Sequence, residues 1–150
     1  MKELTKHTYD VELEWKEGKI GKLQSFKLND SIDVATPPEF PGGVERIWSP
    51  EHLFVASVSS CFMTTFTAIA EYSNLSFESL KVPATGFMSN ENGKFEMTRI
   101  ILKPSLVIMD ESKKDKALRI LEKAEQACLI TRSIKTVVRL EPEVLIAVPG

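Results

Sequence analysis

The chain has 150 residues, 43% of them hydrophobic and 27% charged. That is the balance of a globular chain able to bury a core, and it excludes a disordered or fibrous protein. Lys and Arg number 19 against 21 Asp and Glu, a net charge of −2 with no basic block, so nothing electrostatic argues for nucleic acid or an anionic membrane as partner.

MKELTKHTYDVELEW opens the chain. It has neither an apolar core region nor a small-residue cleavage site, so no signal peptide is read and a cytoplasmic protein is expected. Thr8 to Trp15 alternates, with Tyr9, Val11, Leu13 and Trp15 on one face, which predicts a half-buried strand. Glu17-Gly18 turns the chain, Ile20 to Leu28 returns as a second strand, and Ser31 to Ala35 forms a third. Thr36 to Gly43, TPPEFPGG, cannot be regular structure. It is a connecting loop or the wall of a site.

Ser49-Pro50-Glu51 reads as a helix start: a capping serine, proline at the first helical position and an acid at the positive end of the dipole. Leu53 to Ala70 carries no charge and is apolar all round, which predicts burial on every side. A membrane span is the competing reading of 18 uncharged residues. Six of them are Ser or Thr and the flanks lack basic anchors, so the helix is assigned to a core. One domain of this size struggles to wrap it, so an obligate homodimer with this helix near its centre is expected.

Leu80 to Ser89 and Lys94 to Ile108 flank an Asn-Gly and predict a hairpin. Asp110 caps a second helix, Glu111 to about Ala127, with the apolar stripe Ala117, Leu121, Ala124, Cys128. Thr136 to Leu140 and Val144 to Val148, interrupted by Pro142, read as one bent or edge strand. The whole is a single α+β domain over residues 1–150, with largely antiparallel sheets packed on helices.

Two cysteines, Cys61 and Cys128, and two histidines, His7 and His52, show no metal-ligand spacing, so no metal and no cofactor are expected. Each cysteine is either a small core hydrophobe or half of a redox pair, since each lies on one of the two predicted helices. Cys61 stands about three turns from Pro50, too far for that helix start to activate it. As a nucleophile it would need a cation from elsewhere.

Ser49 to Phe62, SPEHLFVASVSSCF, resembles the signature of the OsmC/Ohr superfamily: Pro-Glu at a helix start, a cysteine ten residues on, and small residues before it. The loop Pro38 to Gly43 and the second cysteine within Ala127 to Ser133 fall at family-like places. The resemblance implies an intertwined homodimer, antiparallel sheets wrapped around two long helices. It also implies a thiol peroxidase with Cys61 as peroxidatic and Cys128 as resolving cysteine, an external dithiol as reductant and Glu51 orienting an activating cation. The hydroperoxide-resistance branch draws that cation from an arginine of the first hairpin. Here Trp15 to Leu28 holds only lysines. Lys19 and Arg46 are the candidates, and Lys lacks the planar fork of Arg. On a continuous helix Glu51 lies roughly 15 Å from Cys61, so either the helix breaks or Glu51 serves a partner subunit. His52 is a candidate base. Two other functions fit: a binding module with inert cysteines and a hydrophobic pocket at the dimer interface, or a thioesterase with Glu51 or Asp110 as base, although no GxSxG or Ser-His-Asp pattern is present.

Overall fold

The structure, a computed structural model, describes residues 6–148. The chain divides between Leu53 and Phe54 into two compact units.

The first unit is built on a meander. Strands β1 (Glu12–Glu17), β2 (Ile20–Gln24) and β3 (Ile32–Ala35) pair antiparallel in that order. Gly18, at φ 51°, supplies the left-handed turn between β1 and β2. Register sets Leu13 opposite Leu23 and Trp15 opposite Gly21. The alternation of the sequence is present, but the apolar face of β1 is not buried. Leu13 is 64% exposed and Trp15 70%, so the expected half-burial is not reached within one chain. The irregular loop is well tied. Val44 N–H donates to Thr36 O, Gly43 N–H to Phe40 O and Phe40 N–H to Pro37 O. A Cβ on Gly43 would lie 2.0 Å from Pro37 O, so the loop closes only because that position has no side chain.

Helix α1 runs unbroken over Pro50–Tyr72. Its expected start is in place: the Ser49 hydroxyl accepts the His52 N–H at 3.1 Å and Leu53 N–H donates to Ser49 O. It ends in a Schellman turn, with Asn74 at φ 56°, Asn74 N–H on Glu71 O and Leu75 N–H on Ala70 O. The serines and threonines on its flanks bond back to carbonyls three residues earlier, as in Ser57 to Phe54, Ser59 to Ala56 and Thr64 to Cys61.

In the second unit, two long strands were expected before the second helix and four are found: β4 (Ser79–Lys81), β5 (Ala84–Glu91), β6 (Lys94–Leu102) and β7 (Ser105–Ile108). Pro83 and Pro104 sit at the breaks, where a missing N–H interrupts the ladder. The Asn-Gly hairpin forms as expected, with Asn92 and Gly93 both at positive φ. Asp110 accepts from the Ser112 N–H and hydroxyl, opening a 3-10 turn over Glu111–Lys113 that leads into α2 (Lys114–Ala127). These bonds hold the Asp110 carboxyl below its usual range and occupy the group as a cap. A short helix α3 (Leu129–Arg132) follows, then β8 (Val137–Leu140) and β9 (Glu143–Ile146).

The C-terminal strands correct two expectations. They are separate strands in different sheets, and each pairs parallel: β8 with β6, β9 with β7. The sheets are β5-β6-β8 and β4-β7-β9, both mixed. The fold is α+β, but with one long helix of 23 residues and a second of 14 rather than two long ones.

The core of this unit gathers Val58, Phe62, Phe66 and Ala70 of α1, a stripe at steps of four, against Ala117, Ile120, Leu121 and Ala124 of α2 and Ile100, Leu102, Leu106 and Ile108 of the sheets. Phe66 meets Phe77 edge-on at 5.4 Å. Only those four of the 23 residues of α1 are buried, so burial on all sides is not achieved by a single chain. Met63 is 41% exposed. By length and mean hydropathy α1 also meets the requirement of a membrane span, a property shared by apolar core helices.

Candidate functional site

The two cysteines come together. Cys61 lies in the fourth turn of α1, half-buried beside the core stripe, and Cys128 is the buried junction between α2 and α3. Cys128 ends α2 with an extended backbone, ψ 115°, and is at once the N-cap of α3. That turn brings its thiol onto Cys61, and both sulfurs are free thiols.

Their surroundings pull the two thiols apart. Burial pushes the Cys61 thiol up, but this is outweighed by donors that favour its thiolate: the Ile130 N–H, the Cys128 thiol, the Thr65 hydroxyl and the Leu129 N–H. The net direction is below the ordinary thiol value. Thr65 Oγ1 stands 3.9 Å from Cys61 Sγ, one turn further along α1. Cys128 is pushed up, first by burial and then by Cys61, whose negative charge it faces; the hydroxyl and N–H of Thr131 pull the other way. The two neighbouring thiols thus differ in acidity, Cys61 shifted toward its thiolate and Cys128 away from it.

Among the described residues the donors to Cys61 are hydroxyl, thiol and backbone groups. Backbone N–H groups at the start of α3 are part of this set. The sequence reading missed them because they belong to Leu129 and Ile130, 68 and 69 residues after Cys61, and no capping residue type marks that helix start. Among the described residues neither candidate cation is paired with Glu51. The Lys19 ammonium donates to Pro41 O at 3.0 Å, and Arg46 is exposed with a left-handed backbone, φ 67°.

Glu51 sits in the first turn of α1, as read. Because the helix does not break, the first of the two routes from Glu51 to Cys61 is closed, and the two remain roughly 15 Å apart along one axis. Glu51 Oε1 is nonetheless buried and has no hydrogen-bond partner among the described residues, an arrangement that a folded protein rarely leaves uncompensated. His52 is an exposed residue whose Nδ1 lies 2.7 Å from Ser49 Oγ, with Trp48 edge-on at 6.2 Å. It completes the helix cap. Among the described residues no cluster of His, Cys, Asp and Glu is arranged to hold a metal. A depression of about 470 Å³ on the β5-β6-β8 sheet, bordered by Phe87, Arg99 and Arg139, contains neither cysteine.

Residues 42–143 match the family described as OsmC-like protein. The chain is 31% identical over 134 residues to a protein of Bacillus subtilis described as uncharacterized protein YmaD, with 87% of each chain covered. It is similar to the solved structure of an OsmC-like protein of unknown function from Vibrio cholerae, at 25% identity and a TM-score of 0.82 over 91% of this chain and 99% of that one. The same fold is seen in an organic hydroperoxide resistance protein from Legionella pneumophila, at 21% identity and a TM-score of 0.72 over 94% and 100%.

Proposed function

The chain belongs to the OsmC-like protein family, and on that premise we propose that it is a cysteine-based thiol peroxidase acting on organic hydroperoxides or hydrogen peroxide. The observation that carries the reading is the facing pair of free thiols with opposite acidities. The Cys61 thiolate attacks one oxygen of the peroxide. The O–O bond breaks, the second oxygen leaves as alkoxide or hydroxide and takes a proton, and Cys61 becomes a sulfenic acid. Cys128 then attacks that sulfur, water leaves, and a disulfide forms. An external dithiol returns both cysteines to thiols by exchange. No metal or organic cofactor enters this cycle.

The family resemblance assigns Glu51 to orienting a cation at the site. Its orphaned, buried oxygen suits that role if the cation comes from a second copy of the chain. The homodimer rests on two surfaces. Tyr9, Val11, Leu13 and Trp15 are all exposed, and α1 is covered along one stripe only. Apolar area of this extent is the usual mark of an interface. A cytoplasmic setting, which keeps both thiols reduced, fits the same chemistry.

The test is thiol loss in reduced protein given one equivalent of cumene hydroperoxide or hydrogen peroxide, read by intact mass. Loss of two hydrogens in the wild type, a trapped sulfenic acid in Cys128→Ser and no reaction in Cys61→Ser support the cycle. A wild type no faster than a free thiol rejects it and favours a binding module on the same fold. Acyl-thioester turnover that survives loss of both cysteines would favour a thioesterase instead.

A further inference from the structure

The thiol pair leaves one polar atom beside it unused. Thr131 Oγ1 is buried and has no hydrogen-bond partner among the described residues. Thr131 is the third residue of α3, whose N-cap is Cys128. At the third position of a helix the backbone N–H faces the capping side chain, and the residue's own side chain reaches back toward the capping residue. Here that side chain is a thiol, and the hydroxyl and N–H of Thr131 both favour its ionised form.

Before peroxide is attacked, burial and the facing charge of Cys61 disfavour that form. The hydroxyl is therefore a donor with no charge to serve. On the peroxidase reading this changes during the cycle. Attack on the peroxide turns Cys61 from an anion into a neutral sulfenic acid, and the like charge that held the Cys128 proton disappears.

We infer that Thr131 is a positioning residue for the resolving half of the cycle, its hydroxyl donating to the Cys128 sulfur whenever that sulfur carries developing negative charge. This happens twice. In resolution the Cys128 proton passes to the departing oxygen of the sulfenic acid, the S–O bond breaks, the S–S bond forms and water leaves. In regeneration a thiolate of the external dithiol attacks the Cys61 sulfur, the S–S bond breaks and Cys128 leaves as the anion. The dithiol supplies the two electrons. A donor fixed beforehand at the point where charge appears acts without reorganisation. The inference rests on the peroxidase reading, and its test separates the two.

Thr131→Val removes the hydroxyl at nearly constant volume, and Thr131→Ser retains it. Two rates are followed by rapid quench and mass spectrometry: sulfenic acid formation and its conversion to disulfide. With Val, conversion slows about tenfold or more, as expected for loss of one hydrogen bond to a charged group. Sulfenic acid formation keeps its wild-type rate, and Ser restores conversion. Conversion at the wild-type rate in the Val variant overturns the inference while leaving the peroxidase reading intact, and equal slowing by Val and Ser overturns it in favour of packing. A second arm needs no peroxide. In Cys61→Ser protein, the pH midpoint of Cys128 alkylation moves upward when Thr131→Val is added, and an unmoved midpoint refutes the inference even if the wild type proves inert to peroxide.

Discussion

Gly86, on β5, faces α1 at a separation that leaves no room for a methyl group. A Cβ there would lie 2.5 Å from Val55 Cγ2 and 2.8 Å from Met97 Cε. Non-bonded carbons rest at about 3.5–4.0 Å, so the deficit is about 1 Å on each side. The methionine terminus can swing away. Val55 cannot do so easily, because a β-branched side chain on a helix keeps one strongly preferred rotamer. Gly86→Ala must therefore part strand and helix or force Val55 off its rotamer, at about 1–3 kcal/mol. The stiffer unfolded chain returns about 0.4–1 kcal/mol of this. For a chain of this length each kcal/mol moves Tm by about 2–4 °C, so a fall of several degrees is expected. Urea and thermal melts of Gly86→Ala, Val55→Ala and the double variant complete a cycle. Removing the valine methyls makes the space the alanine needs, so the double variant should be no less stable than Val55→Ala, with a coupling of at least about 1 kcal/mol. Additivity within about 0.5 kcal/mol, or a Gly86→Ala melt like the wild type, would show that this contact does not set the distance between sheet and helix.

Iodoacetamide should label Cys61 well before Cys128 at neutral pH, since only Cys61 is shifted toward its thiolate. Its midpoint falls below that of a free thiol and that of Cys128 above, and peptide mapping across a pH series reads both. The reverse order would refute the assignment of nucleophile and partner. Ser49→Ala removes the cap of α1 and should cost about 1 kcal/mol, whereas Ser49→Asp, which keeps an acceptor at the helix start, should cost less. Equal melts for the two variants would mean that the buried hydroxyl is not acting as a cap.

What could be read from the residues was mainly local. The start of α1 follows from Ser49, Pro50 and Glu51, the hairpin from Asn92-Gly93, and the cap of the second helical segment from Asp110, because each signal lies within four residues of the structure it makes. Parallel pairing has no such signal. Nothing in Val137–Leu140 names β6 as its neighbour, so two strands in two sheets read as one bent strand. Burial was misjudged for a related reason. Period two in Tyr9 to Trp15 and the uncharged length of α1 report that these faces need cover, and they are silent on whether the same chain supplies it. At the site, the pairing of Cys61 with Cys128 was foreshadowed by their places on two helices. The N–H donors at Cys61 were not, since backbone N–H groups carry no residue type and these lie far along the chain from it.

The parallel pairing of β8 and β9 has a consequence for how the chain comes off the ribosome. Strands β6 and β7 each carry an open edge until residues 137–146 arrive. Unpaired edges invite other chains, and contacts this distant in sequence form slowly. A nascent chain halted near Ser133 would hold both cysteines and the complete α1 while β6 and β7 wait for β8 and β9. Arrival of residues 137–146 thus covers one open edge of β6 and one of β7, and moves the exposed edge to the short strands β8 and β9.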